Sequence, residues 1–272
     1  MHPAPRPARD PSVDPAFLWT LRIGVFCCFV GHGALGLNQT AAWESYFAVA
    51  GIAPRHALGL MPWVGSFDLI MAMSVLFIPA RGVVLYMAGW AVWTALLRPL
   101  AGEPVWELVE RAGNYGAPFA LFLLFAGGRT LKDWFPGRFR ETIDAGTTRK
   151  LGWTLRLTTV LLLLGHGMLN WIVQKPMFAT QYNLLGLPGT SVEPMVGIFE
   201  CVLALAVLIR PGRALLLAVL AWKLATEALN PMGGSPIWVF IEHGGSYAAP
   251  LALLFLLPQA RLAPASAPAP AR

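Results

Sequence analysis

The sequence predicts an all-α integral membrane protein in which eight transmembrane helices form two parallel four-helix repeats. Three observations lead there. Of 272 residues, 56% are hydrophobic and only 12% charged, and the mean hydropathy is +0.59, which sets the chain apart from water-soluble globules. The apolar residues gather into runs about 20 residues long, enough to cross a bilayer as helix, and nothing alternates in the manner of barrel strands. Finally, the second half repeats the first. Adding 134 maps Leu21-Arg22 onto Leu155-Arg156 and Gly31-His32-Gly33 onto Gly165-His166-Gly167. Two residues are then lost, and adding 132 maps Pro62, Gly65, Asp68, Trp90, Thr94, Glu110 and Tyr115 onto Pro194, Gly197, Glu200, Trp222, Thr226, Glu242 and Tyr247.

The chain divides accordingly. Residues 1–16 form a polar, Pro-rich tail that is expected to be disordered, and 17–127 form the first repeat. Residues 128–152 are a basic connector, 153–258 the second repeat, and 259–272 a low-complexity tail of Ala and Pro. In the first repeat the spans fall at about 17–37, 62–79, 82–98 and 105–127. Their copies fall at about 153–173, 194–209, 214–230 and 236–257. The run beginning at Phe17 is followed by no small-residue cleavage site and recurs as a span, so it reads as retained helix rather than a signal peptide. Short turns with Pro and Gly, 78–82 and 210–213, join the second and third spans of each half as hairpins. An even number of spans per half makes the repeats parallel, related by an axis along the membrane normal. The longer outward loops, 38–61 and 174–193, contain Trp43, Tyr46, Phe47, Phe178 and Tyr182, and read as interfacial or re-entrant segments.

Lys and Arg set the orientation. The tails, the turns at 80–82 and 210–213 and the connector hold most of them, whereas the opposite face has only Arg55, Arg98, Arg111 and Lys175. This bias places both termini and the connector in the cytoplasm of a multi-pass inner-membrane protein. The formal charge of +6 raises the question of nucleic acid, but the basic residues form no single patch interleaved with aromatics, and that partner is excluded in favour of the lipid bilayer. Cys27, Cys28 and Cys201 lie in apolar runs, an odd count that builds no disulfide framework.

Ionisable residues inside spans are costly and seldom accidental. They collect here at one depth, in the outward half of the bundle: His32 and His166, Asp68 and Glu200, Glu227, Glu110 and Glu242, His243, Tyr115 and Tyr247. The expectation is one or two polar pockets, with His32 approaching Asp68 and Glu110, and His166 approaching Glu200 and Glu242, each set within its own half. Pro118 and Pro250 are expected to kink the last span of each half near Asn114 and Ser246. Plainer roles stand beside these. The histidines can be packing residues satisfied by a carboxylate, Asp68 and Glu200 can pair with Arg98 and Lys223 to hold helices, and the glycines can simply let backbones approach. Glu103 and Glu107 read as solvated surface charges.

Several chemistries fit such a cluster, and no catalytic residue is assigned. His32 and His166 from facing helices suit a haem, though the lack of Cys-x-x-Cys-His excludes covalent attachment. A divalent metal would suit His plus carboxylates, but no Glu-x-x-His pair is present. A quinone head group needs donors for its carbonyls and protons for its reduction, which a His/carboxylate/Tyr site supplies. HExxH, GxSxG and P-loop motifs are absent from the sequence, so protease, esterase and nucleotide-hydrolysis readings have no support.

The second half, with Leu155-Arg156, Gly165-His166-Gly167 and the stretch from Gly197-Ile-Phe-Glu200 to Ile209-Arg210-Pro-Gly-Arg213, resembles the DoxX-like membrane proteins. These are four-helix units with an acidic residue opening the second helix and a short Arg-containing turn closing it. The resemblance covers each repeat, about 100 residues apiece, and this chain differs in being a fused double unit with added histidines. It implies an accessory role in membrane redox chemistry, with a redox partner subunit and Glu200 and Asp68 on the shared pattern. The leading reading is thus a membrane protein that interacts with quinone at an outward-facing site. The alternatives are a transporter or binding protein for a small solute, metal or haem, and a structural anchor subunit.

Overall fold

In the computed structural model the chain is described over residues 10–127, 130–135 and 137–262, with side chains to 257. Residues 1–9 and 263–272, where most of both expected tails falls, lie outside the described residues. The fold is all-helical. In chain order the helices are α1 (Pro15–Leu37), α2 (Glu44–Val49), α3 (Pro54–Phe77), α4 (Arg81–Leu100), α5 (Trp106–Glu110), α6 (Ala112–Leu123), α7 (Ala145–Met168), α8 (Pro176–Leu184), α9 (Gly189–Ile209), α10 (Arg213–Met232), α11 (Ile237–Glu242) and α12 (Gly244–Leu262). Among the described residues, seven helical stretches are long and apolar enough to cross a membrane: 15–37, 54–77, 81–100, 145–173, 189–209, 213–232 and 237–257.

The fourth stretch of the first half, expected as one span over 105–127, is instead divided at Arg111 into α5 and α6 and is too short in either part to count as a span alone. The last stretch is interrupted at the equivalent place, His243. Pro118 and Pro250 do not mark these interruptions; each break lies seven residues earlier. The tyrosines explain how the breaks are held. Tyr115 donates to the Leu108 carbonyl and Tyr247 to the Phe240 carbonyl, both in a last helical turn whose carbonyls lack an onward helical partner.

Other boundaries shift for local reasons. The helices α3 and α9 begin at Pro54 and Gly189, because Pro62 and Pro194 lie inside the helices rather than at their starts. The chain from Asp10 is ordered rather than tail: Val13 N donates to Glu141 O and Ile143 N to Pro11 O, joining the N-terminal strap to the connector. Asp14 then caps α1 and Asp144 caps α7, so that α7 opens eight residues before the expected 153. The Leu-Arg pairs have a structural role as well. Arg22 Nε donates to Val75 O and Arg156 Nε to Val207 O, both at 3.0 Å, so each arginine ties down the last carbonyls of α3 or α9.

One buried apolar cluster is shared by both halves, with Phe17, Leu21, Val25 and Leu121 from the first and Leu155, Leu162, Ala252 and Leu256 from the second. Packing is crosswise. The helix α1 lies on α3 of its own half and on α11 and α12 of the other, while α7 lies on α9 and on α5 and α6. The Gly-His-Gly motifs permit this. A Cβ at Gly31 would stand 2.3 Å from the Glu242 nitrogen, and one at Gly33 would stand 2.8 Å from the Gly65 carbonyl. Gly165 meets Glu110, and Gly167 meets Gly197, in the same way. Each histidine therefore sits where its helix is pressed between two neighbours.

Candidate functional site

Each histidine meets the carboxylate that follows it. His32 Nδ1 is 2.6 Å from Asp68 Oδ2, and His166 Nδ1 is 2.6 Å from Glu200 Oε2. A carboxylate on Nδ1 fixes the ring orientation and leaves Nε2 as the free nitrogen. Around these pairs the halves diverge. The His32 side chain is 23% exposed and His166 only 7%. His166 is closed in by Phe178, whose ring lies 5.0 Å away edge-on, and by Asn170, which accepts from Tyr182 at 2.8 Å. His32 instead stacks on Trp43 at 4.5 Å and lines a cavity of about 200 Å³. Trp43, Phe47, Trp90 and Trp93 are the aromatic part of its apolar wall, with Thr94, Arg98, Arg111, Asn114 and Glu242 as polar lining.

The sequence explains the difference. Positions 91 and 95 of α4 are alanines, whereas their counterparts on α10 are Lys223 and Glu227. In the second half those side chains fill the interior as an ion pair, Lys223 Nζ to Glu227 Oε1 at 2.7 Å, both almost fully buried. His243 bonds Glu227 through Nδ1, and its Nε2 lies 3.9 Å from Glu110 and 3.8 Å from Glu242. Arg111 reaches Glu110 at 2.8 Å and Glu242 at 3.8 Å. A charged cluster thus runs through the centre of the bundle, where the two helix breaks bring Arg111 and His243 together with these glutamates.

These contacts correct several expectations. Glu110 belongs to the cluster with His243 and not to His32, and Glu242 lines the His32 cavity rather than approaching His166; the crosswise packing exchanges them. Tyr115 and Tyr247 brace the breaks. Lys223 pairs with Glu227 rather than Glu200, and Arg98 with Glu103 and Glu107 rather than Asp68. Glu107 is buried, bonded to Lys175, and not a solvated charge. His32 and His166 occupy separate settings, one at a cavity and one in packed interior, so the arrangement offers no shared haem site. Glu110, Glu227 and His243 bring ligand atoms within 4.8 Å of one another. Lys223 and Arg111 already neutralise those carboxylates, and a divalent cation would meet two fixed positive charges there. The cluster is an ion-pair network first.

Residues outside the candidate polar set also shape the site. Tyr46, on α2, donates to Glu103 and accepts from Arg98 at 2.9 Å, fastening α2 over the cavity. Burial pushes the Tyr46 phenol up to about 12, so it stays a donor. Burial also works to raise Glu103, but the Tyr46 hydrogen bond and the Arg98 charge outweigh it and hold that carboxyl below its ordinary value. In the sequence Arg98 stands as a topology marker and a possible partner of Asp68, Arg111 as a topology marker alone, and Trp90 as a repeated position. Their signal was proximity in sequence to Thr94 and Glu110.

Comparison of the chain with family models, curated proteins and solved structures gives no match. The class defined by fold and site is a multi-pass helical membrane protein with a histidine-bearing cavity.

Proposed function

We propose that this chain is an eight-span inner-membrane protein made of two parallel DoxX-like units, and that it binds a quinone head group in the cavity beside His32 as an accessory of membrane redox chemistry. The cavity is the observation that supports the reading. Aromatic walls suit the faces of a ring, and His32, Arg98 and Arg111 are the donors that would hold its carbonyls. A volume of about 200 Å³ lies below the roughly 300–1,000 Å³ of drug-sized pockets and suits a single substituted ring better than a macrocycle. Asp68 keeps the imidazole oriented, and His32 Nε2 is the group placed to give or take a proton. When bound, a quinone would supply the two-electron couple that the side chains lack.

His32→Asn tests this, because the Asn amide can still donate to Asp68. Binding of a decyl-benzoquinone to the purified chain, followed by equilibrium dialysis, is expected to weaken about tenfold or more while the folded yield holds. Unchanged affinity would remove the cavity from consideration.

The eighth span is the α5–α6 pair, interrupted at the same place as 237–257. The repeat reading rests on the paired contacts of Arg22 and Arg156 and of His32 and His166. Cytoplasmic termini follow from the basic end of the bundle, since the opposite end matches Arg98, Arg111 and Lys175 with glutamates. In intact cells, a Cys at Thr147 is expected to be shielded from an impermeant thiol reagent and one at Thr190 to react. Gly189 is unsuitable because its Cβ would strike the Ala179 carbonyl. Labelling in the reverse sense would invert the orientation.

A further inference from the structure

Three polar atoms near the His32 cavity lack a hydrogen-bond partner among the described residues: Asp68 Oδ1, Trp90 Nε1 and Asn114 Oδ1. Asp68 is fully buried and Asn114 is 9% exposed. Buried polar groups are normally satisfied, so each bare one calls for a physical account. The second half supplies it by contrast. There Trp222 Nε1 donates to Glu200 Oε1 at 2.7 Å, closing donor onto acceptor. Asp68 is one methylene shorter than Glu200, and the corresponding pair, Asp68 Oδ1 and Trp90 Nε1, is left unmade.

Beside the main cavity is a recess of about 20 Å³, edged by Cys28, His32, Trp90, Thr94 and Asn114. That is room for one oxygen atom and little more. The bare N–H of Trp90 and the bare amide oxygen of Asn114 belong to its edge, and Asp68, whose Oδ1 is also bare, lies behind it and holds His32 through Oδ2. We propose that this recess receives a hydroxyl group of the ligand, so that the site favours the dihydroxy form of a quinone-type ring over the dione. A hydroxyl accepts from Trp90 and donates to Asp68 or Asn114, whereas a carbonyl oxygen has no proton to give and meets the Asp68 charge. The inference rests on the quinone reading above and adds to it the form of ligand preferred.

The test compares decyl-benzoquinol, kept reduced under anaerobic conditions, with decyl-benzoquinone on the purified full chain by equilibrium dialysis. The quinol is expected to bind about tenfold or more tightly than the quinone. In Asp68→Glu the carboxylate reaches Trp90 as Glu200 reaches Trp222, and the preference is expected to vanish with folded yield retained. Trp90→Phe, which removes the donor and keeps an aromatic ring, is expected to weaken the quinol as well. Equal or tighter binding of the dione by the unaltered chain overturns the preference alone, as does a preference that survives Asp68→Glu. Failure of both compounds to bind overturns the preference and the quinone reading together.

Discussion

Lys223→Met is expected to destabilise the protein by about 3–5 kcal/mol, the usual cost of stranding a buried charge. The ammonium is 1% exposed and stands 2.7 Å from Glu227, itself 3% exposed. Without it, Glu227 keeps only His243 and a bond from Asn230 Nδ2 at 3.1 Å, in an interior with little solvent to share the charge. Glu227→Gln alone is expected to be comparably harmful, since it leaves Lys223 bare. The double variant Lys223→Met/Glu227→Gln removes both charges, and it is expected to recover a large part of the loss. Thermal unfolding in detergent of the four proteins of this cycle measures the coupling. A single lysine variant as stable as the parent would mean that the pair contributes no charge compensation. The cycle also bears on the cavity, because Ala91 and Ala95 occupy the equivalent places in the first half. If the second half depends on its ion pair for stability, the first half holds its shape with alanines at the same two positions.

The sequence made the all-helical, multi-pass class plain because long apolar runs have few physical solutions. His32 with Asp68 and His166 with Glu200 were legible for the same reason: each is expensive in hydrocarbon, and neighbours at one depth are the cheapest partners. Glu110 and Glu242 were assigned to the wrong halves. They occupy equivalent positions, so nothing local distinguishes them, and only the packing of α11 on α1 and of α5 on α7 decides which site each joins. The breaks at Arg111 and His243 were hidden too, since neither is Pro or Gly and the nearby prolines pointed one turn too far along. The cavity had a visible sign that went unread. The likeness of the halves marks Trp90 and Trp222, while the differences that open the space are Ala91 against Lys223 and Ala95 against Glu227.

Gly165→Ala is expected to reduce the folded yield sharply, and more than Gly31→Ala. A Cβ at Gly165 would lie 2.1 Å from the Glu110 nitrogen and 2.4 Å from its Cα; at Gly31 the nearest atom is the Glu242 nitrogen at 2.3 Å. The obstacle in both cases is backbone, which cannot rotate aside as a side chain would, so the helices must separate. Overpacking of a core typically costs about 1–3 kcal/mol, and a backbone clash of this depth belongs at or above the upper end. Gly89→Ala on α4 is the control. Among the described residues no atom outside its own stretch of helix lies within 4 Å of its Cβ position, and replacing a mid-helix glycine is expected to stabilise by up to about 1 kcal/mol. Melting temperature and folded yield in detergent separate these cases. The consequence reaches the charged cluster, because the crossing at Gly165 is what sets Glu110 beside His243. Forcing α5 away from α7 would lengthen that approach, and Glu110 would rely more on Arg111, 2.8 Å away. If Gly165→Ala melted like the parent while Gly89→Ala gained stability, the close crossing would be wrong, and with it the exchange of Glu110 and Glu242 between the halves.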